Sequence, residues 1–217
     1  IKHKKNNKIN LFTILVNDGR LLDLNLSNSV FELKRTGNEL DITSLIKSSG
    51  DFDLDKIKKI SSLLGLKIKN IVDINIKGNL KTEVKFKLNK QYKIKNLFYK
   101  VEGDISEGKI TFDKQKEIKK YLPKYNDIIE LKDSKIKFTK KNKVNSIELE
   151  GLMKLSDNFD KFNIMQIFDY RKNIHNIIGE MDLTNSRISI PELNYAKDSA
   201  EMSKVIFDLN FKIKNYF

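Results

Sequence analysis

The chain has 217 residues, a formal net charge of +13 and no cysteine, so disulfides and thiolate metal sites are excluded. The length suffices for one large β domain or two small ones with a sizeable core. Of the 42 basic residues only Arg20, Arg35, Arg171 and Arg187 are arginine and the other 38 are lysine. Base readout and bidentate phosphate contacts favour arginine, so the charge reads as a solvated lysine face and no nucleic-acid partner is expected. Abundant Lys, Ile and Asn also match the codon bias of an AT-rich genome. The sequence begins at Ile1 and carries neither a signal peptide nor an apolar run of membrane-spanning length, which reads as a segment of a longer protein.

Along the chain, Phe12, Ile14 and Val16, then Leu22, Leu24 and Leu26, alternate as strands, with a hairpin expected near Asn17-Asp18-Gly19-Arg20. Asp53 to Leu64 places Leu54, Ile57, Ile60 and Leu64 on one side of a short helix that stops at Gly65. The clearest signal runs from Val72 to Asn89: Val72, Ile74, Ile76, Gly78, Leu80, Thr82, Val84, Phe86 and Leu88 share one parity, and mostly Lys, Asn, Asp and Glu fill the other. A hairpin at Gly78-Asn79 would set Ile76 opposite Lys81, mixing faces. One continuous strand keeps every apolar side chain together.

The pattern returns in Leu97, Tyr99, Val101, Gly103 and Ile105, with a turn expected at Ser106-Glu107-Gly108-Lys109 before Ile110 and Phe112. A second helix is expected over Lys116 to Leu122, ended by Pro123, and a third over Asn158 to Tyr170, with Phe159, Phe162, Met165 and Phe168 at helical spacing. Between and after them, Ile147, Leu149, Gly151, Met153 and Leu155, then Ile177, Gly179, Met181 and Leu183, and finally Val205, Phe207, Leu209, Phe211 and Ile213 resume the alternation. Inward glycines in strands mark bends or bulges, so the sheet is expected to curve around its apolar face. The fold class is therefore mostly β: long antiparallel strands in a curved, one-sided sheet forming a trough, with a few short helices. Residues 1–52 read as an N-terminal β segment, continuous with a curved sheet over 53–217.

Catalytic signatures are missing. No phosphate loop, paired-histidine metal motif or nucleophile elbow occurs, and no cofactor or metal is implied. His3 and His175 read as lone surface histidines, and Glu148 and Glu150 as members of cross-strand charge pairs. An enzyme is not expected. What remains is the apolar face, which must be covered by a second sheet, by helices, by its own curvature or by a ligand.

Several stretches carry a resemblance: Gly151-Leu152-Met153-Lys154-Leu155, the run from Ile178 to Tyr195 (IGEMDLTNSRISIPELNY), the strand-glycine-strand segments Ile76 to Leu80 and Val101 to Ile105, and Tyr121-Leu122-Pro123 ahead of a strand at Ile128 to Leu131. Over roughly residues 60–217 the chain resembles the AsmA-like family of bacterial envelope proteins, whose relatives include YhdP and TamB. The resemblance implies a periplasmic protein, anchored in the inner membrane through a helix outside this segment. Its apolar groove would carry phospholipid between membranes, serving outer-membrane biogenesis and envelope integrity. The groove-lining positions, taken from parity alone, are Val72, Ile74, Ile76, Leu80, Val84, Phe86, Leu88, Tyr99, Val101, Ile105, Leu149, Met153, Met181, Phe207, Leu209 and Phe211. The alternative is a ligand-free β-sandwich or repeat scaffold of adhesin-like character, in which the same residues are ordinary core; a basic nucleic-acid-binding β protein is a third reading.

Overall fold

The computed structural model describes residues 2–6, 9–63, 70–114, 116–155 and 158–212. An 11-stranded antiparallel sheet forms the body. In chain order its strands are β1 (Lys2–Asn6), β2 (Ile9–Leu21), β3 (Leu24–Thr36), β4 (Glu39–Asp53), β5 (Ile71–Leu88), β6 (Ile94–Phe112), β7 (Ile128–Lys141), β8 (Val144–Lys154), β9 (Phe159–Asp169), β10 (Ile174–Asp182) and β13 (Lys204–Lys212). A small hairpin, β11 (Ile188–Ile190) and β12 (Tyr195–Lys197), stands apart, joined by a 3-10 turn at Pro191–Leu193. Two α-helices complete the described residues, α1 (Leu54–Leu63) and α2 (Lys116–Tyr121). The sheet does not close into a barrel; β1 and β13 are its edges.

β5 runs unbroken through Gly78 and Asn79, pairing on one side with β4 and on the other with β6. Register then gathers the apolar parities of all the strands. Directly opposed partners form the row Leu26, Ser48, Leu80, Gly103, Ile136, Leu149, Ile164, Gly179 and Phe207, from β3 to β13. Because opposed residues in an antiparallel pair point to the same side, this row fixes the apolar face. The other face carries a ladder of ion pairs: Lys87–Asp41 at 3.2 Å, Lys81–Glu102 at 3.5 Å, Lys137–Glu148 at 2.7 Å, Lys135–Glu150 at 3.8 Å and Lys204–Glu180 at 2.8 Å. Glu148 and Glu150 are thus charge-pair partners. Each exposed pair is worth only about 0.2–1 kcal/mol, but together they favour this register over a one-residue slip.

Three local expectations are corrected. Asn17 to Arg20 lie inside β2, and the hairpin closes one turn later at Leu22 and Asp23, whose φ of 51° and 62° match a two-residue type I′ loop. Ser106 to Lys109 are not a turn: β6 continues through them, and Ser106 is the extra residue of a bulge, its hydroxyl donating to the Lys77 carbonyl at 3.1 Å. Residues 159–169 form β9, not a helix, paired with both β8 and β10. Phe159 and Met165 lie on the polar face while Phe162 and Phe168 lie on the apolar one, so a strand with apolar residues on both faces imitated helical spacing. Leu64, the helix stop at Gly65 and the last expected strand residue Ile213 fall outside the described residues. α1 itself forms as expected, capped by Asp53, whose carboxylate accepts the Lys56 N–H at 2.8 Å.

One bulge device occurs twice. Asn28 (φ 44°) precedes the buried Ser29, whose hydroxyl accepts the Lys47 N–H at 3.0 Å; Asp133 (φ 45°) precedes the buried Ser134, whose hydroxyl donates to the Lys132 carbonyl at 2.9 Å. In both places the register of the neighbouring strand shifts, between β3 and β4 and again between β7 and β8. The short polar side chain satisfies backbone groups that the bulge removes from the ladder.

The apolar face is covered at one end. Ile105, Leu131, Met153, Leu155, Phe162 and Leu183 bury there against Tyr125, which follows α2, and Ile188 of β11. Lys197 in β12 and Asp160 in β9 lock that cover down. The Lys197 ammonium, 2% exposed, donates to the carbonyls of Thr184, Ser186 and Asp198, and the Asp160 carboxylate accepts from Asn185 and Ser186.

Candidate functional site

The candidate site is the part of the apolar face beyond that cover. Of the lining positions expected from parity, Ile74, Tyr99, Ile105 and Met153 are buried. Ile76, Leu80, Val84, Phe86, Leu88, Val101, Leu149, Met181 and Phe207 are half-buried, and Leu209 and Phe211 are exposed on the edge strand. Val72 sits at the irregularity between Ile71 and Asp73, 55% exposed and outside the continuous ladder. Ile105 and Met153 belong to the covered core, so they close one end of the face rather than line its open part.

Glycines on this face let neighbouring strands approach closely. A Cβ at Gly78 would overlap the Asp104 carbonyl oxygen, and one at Gly179 would lie 2.6 Å from the Asn163 oxygen and 2.9 Å from the ring of Phe207. Gly151, at φ 143°, lies against Ser134, with 2.5 Å between its would-be Cβ and the serine Cα. Strand backbones thus approach each other across the apolar side at Gly78, Gly151 and Gly179, as expected for a crease that curls the sheet around that side.

At the end away from the cover, register assembles a row that the alternation of apolar residues did not reveal. Val84, Tyr99, Lys140, Asn145, Phe168, His175 and Phe211 are successive cross-strand partners from β5 to β13. Tyr99 is fully buried, with the Phe138 ring 5.4 Å away and the Lys140 ammonium 5.6 Å from its own ring centroid. The Asn145 amide donates to the Tyr170 hydroxyl at 2.8 Å. The Tyr99 hydroxyl and the Asn145 amide oxygen are both buried with no partner among the described residues. Burial pushes the Tyr99 phenol up to about 12, and the nearby Tyr170 adds to the shift.

His175 is not the lone surface histidine its isolation in sequence implied. It stacks between Phe168 at 4.0 Å and Phe211 at 5.3 Å, and its Nδ1 lies 3.2 Å from the Gln166 amide nitrogen. Burial lowers its pKa. Its parity with Ile177 was the available signal. The corresponding expectation for His3 falls outside the described side chains.

On the polar face, two clefts of about 700 and 710 Å³ open over β6 to β13. Their charged lining, including Lys135, Lys137, Glu148, Glu150 and Glu180, is largely spent on the ion-pair ladder. No cluster of potential metal ligands and no helix long and apolar enough to cross a membrane occurs among the described residues. Comparison with family models, with curated proteins and with solved structures finds no match for this chain.

Proposed function

We propose that this chain is a segment of an AsmA-like bacterial cell-envelope protein, non-enzymatic, whose apolar sheet face carries phospholipid acyl chains between membranes. On this reading it works in the periplasm and is tethered to the inner membrane by an anchor elsewhere in its protein. One observation carries the proposal: a single apolar face runs across the sheet and, among the described residues, its buried cluster covers one end while much of the remaining face is only half-buried. Each methylene moved from water onto such a face is worth up to about 0.8 kcal/mol, so an acyl chain is a chemically sufficient cover. Binding of this kind needs no directional contacts along the track and suits a carrier that must also release its load.

Mass spectrometry of lipid extracted from the purified protein, followed by titration of the delipidated protein with a fluorescent acyl probe, tests the proposal. Co-purifying phospholipid and saturable probe binding are expected. A folded, lipid-free chain that binds no probe would overturn the carrier reading and leave the ligand-free β scaffold in its place.

A further inference from the structure

An apolar track has no use for buried polar atoms that bond to nothing, yet Tyr99 on β6 and Asn145 on β8, flanking β7, each carry one on this face, as does His175 at Nε2 on β10. The Tyr99 hydroxyl is completely buried and unpartnered, and the amide oxygen of Asn145, a residue only 9% exposed, is likewise unpartnered among the described residues. Leaving such groups unsatisfied is destabilising, and their persistence points to a ligand that completes them. Between them in the row stands Lys140, a lysine on the apolar face, its ammonium near the Tyr99 ring. Burial keeps the Tyr99 phenol protonated, so it is available as a donor.

We propose that Tyr99, Lys140 and Asn145 form a head-group station for the carboxylate of a long-chain fatty acid whose tail lies along the apolar face; the proposal rests on the acyl-carrier reading. The Tyr99 O–H donates one hydrogen bond and Lys140 supplies the positive charge. Asn145 completes the set by turning its amide. The Tyr170 hydroxyl, now accepting from Nδ2 at 2.8 Å, then donates to Oδ1, and Nδ2 is released to the carboxylate. The Tyr99 hydroxyl and the Asn145 amide are thereby paired, and the charge-assisted bonds form where little water competes. Lys140 also covers Tyr99, so entry of the ligand requires its flexible side chain to swing aside, a fast motion for a lysine stem.

The test compares oleate with methyl oleate, which share a tail and differ in the charged head. Both are titrated into delipidated wild-type protein and the variants Tyr99→Phe and Lys140→Met at pH 8. The wild type is expected to prefer oleate by about tenfold or more, and each variant to lose that preference while still binding methyl oleate. Ligand-free Tyr99→Phe should melt at the same temperature as wild type or higher, because it removes an unsatisfied hydroxyl. Variants that keep the preference, or a wild type that binds both ligands equally, would overturn the station and leave the carrier reading intact. Failure to bind either ligand would overturn both. A lower melting temperature for ligand-free Tyr99→Phe would assign the hydroxyl to a structural water and overturn the station.

Discussion

Gly103 lies directly beneath the carbonyl of Asn79 on the adjacent strand: a Cβ at residue 103 would overlap that oxygen and sit 3.0 Å from both the Asn79 carbonyl carbon and the Leu80 Cα. These are backbone atoms, which cannot rotate away as the end of a side chain can. Gly103→Ala must therefore separate β5 from β6 or flatten the crease, at an expected cost of about 2 kcal/mol or more. Gly37 is the control. Its φ is +61° but nothing lies within 4 Å of a Cβ there, so Gly37→Ala should cost only about 1 kcal/mol. Urea midpoints of the two variants distinguish steric closure from loss of a favoured backbone conformation; equal shifts would refute the close-approach account.

What the sequence disclosed of this arrangement follows from period and parity. β5 alternates without interruption, so its continuity and apolar side were readable, and the glycines at 78, 103, 151 and 179 were recognisable as bends because they fall on the apolar parity. Bulges at Asn28, Ser106 and Asp133 were not, since each inserts a residue that reverses parity downstream. Lys140 and His175 were passed over for a related reason: their polar character argues for the wet side, although His175 shares the parity of Ile177, and the register with Tyr99 and Phe168 places both on the dry one. The cover over the face depends on contacts between residues near 125 and 188 and a sheet built by the whole chain, which no local pattern encodes. The helix expected at 158–170 failed because pairing with two neighbouring strands outweighs an accidental three-residue spacing.

Lys197 offers a second test of how that cover is held. Its ammonium spends its donors on the carbonyls of Thr184, Ser186 and Asp198, at 3.1, 3.0 and 2.9 Å. Lys197→Met keeps the aliphatic stem and removes the donors, leaving those carbonyls short of partners at an expected cost of about 2–4 kcal/mol. The loss should be local. Hydrogen exchange in residues 184–198 is expected to accelerate, while the amides of β5 to β7 stay protected. Uniform loss of protection across the sheet would show instead that the cover and the sheet unfold as one unit.

The stack around His175 makes stability depend on pH in a defined direction. Burial between Phe168 and Phe211 disfavours the imidazolium, so the folded-state pKa lies below the ordinary 6.5. The unfolded chain then binds the proton more readily, and stability is full above pH 6.5 and declines as the pH falls from there toward the folded pKa. Carboxylates held low by their partners, such as Asp169 beside Arg171 and Asp182 beside Thr184, act separately: their stabilisation is lost only as the pH falls below the ordinary carboxylate range. His175→Phe should therefore flatten the fall in melting temperature between pH 7.5 and 5 and leave the steeper loss below pH 4 in place. An unchanged slope above pH 5 would mean that the imidazole titrates freely and that the stack does not desolvate it.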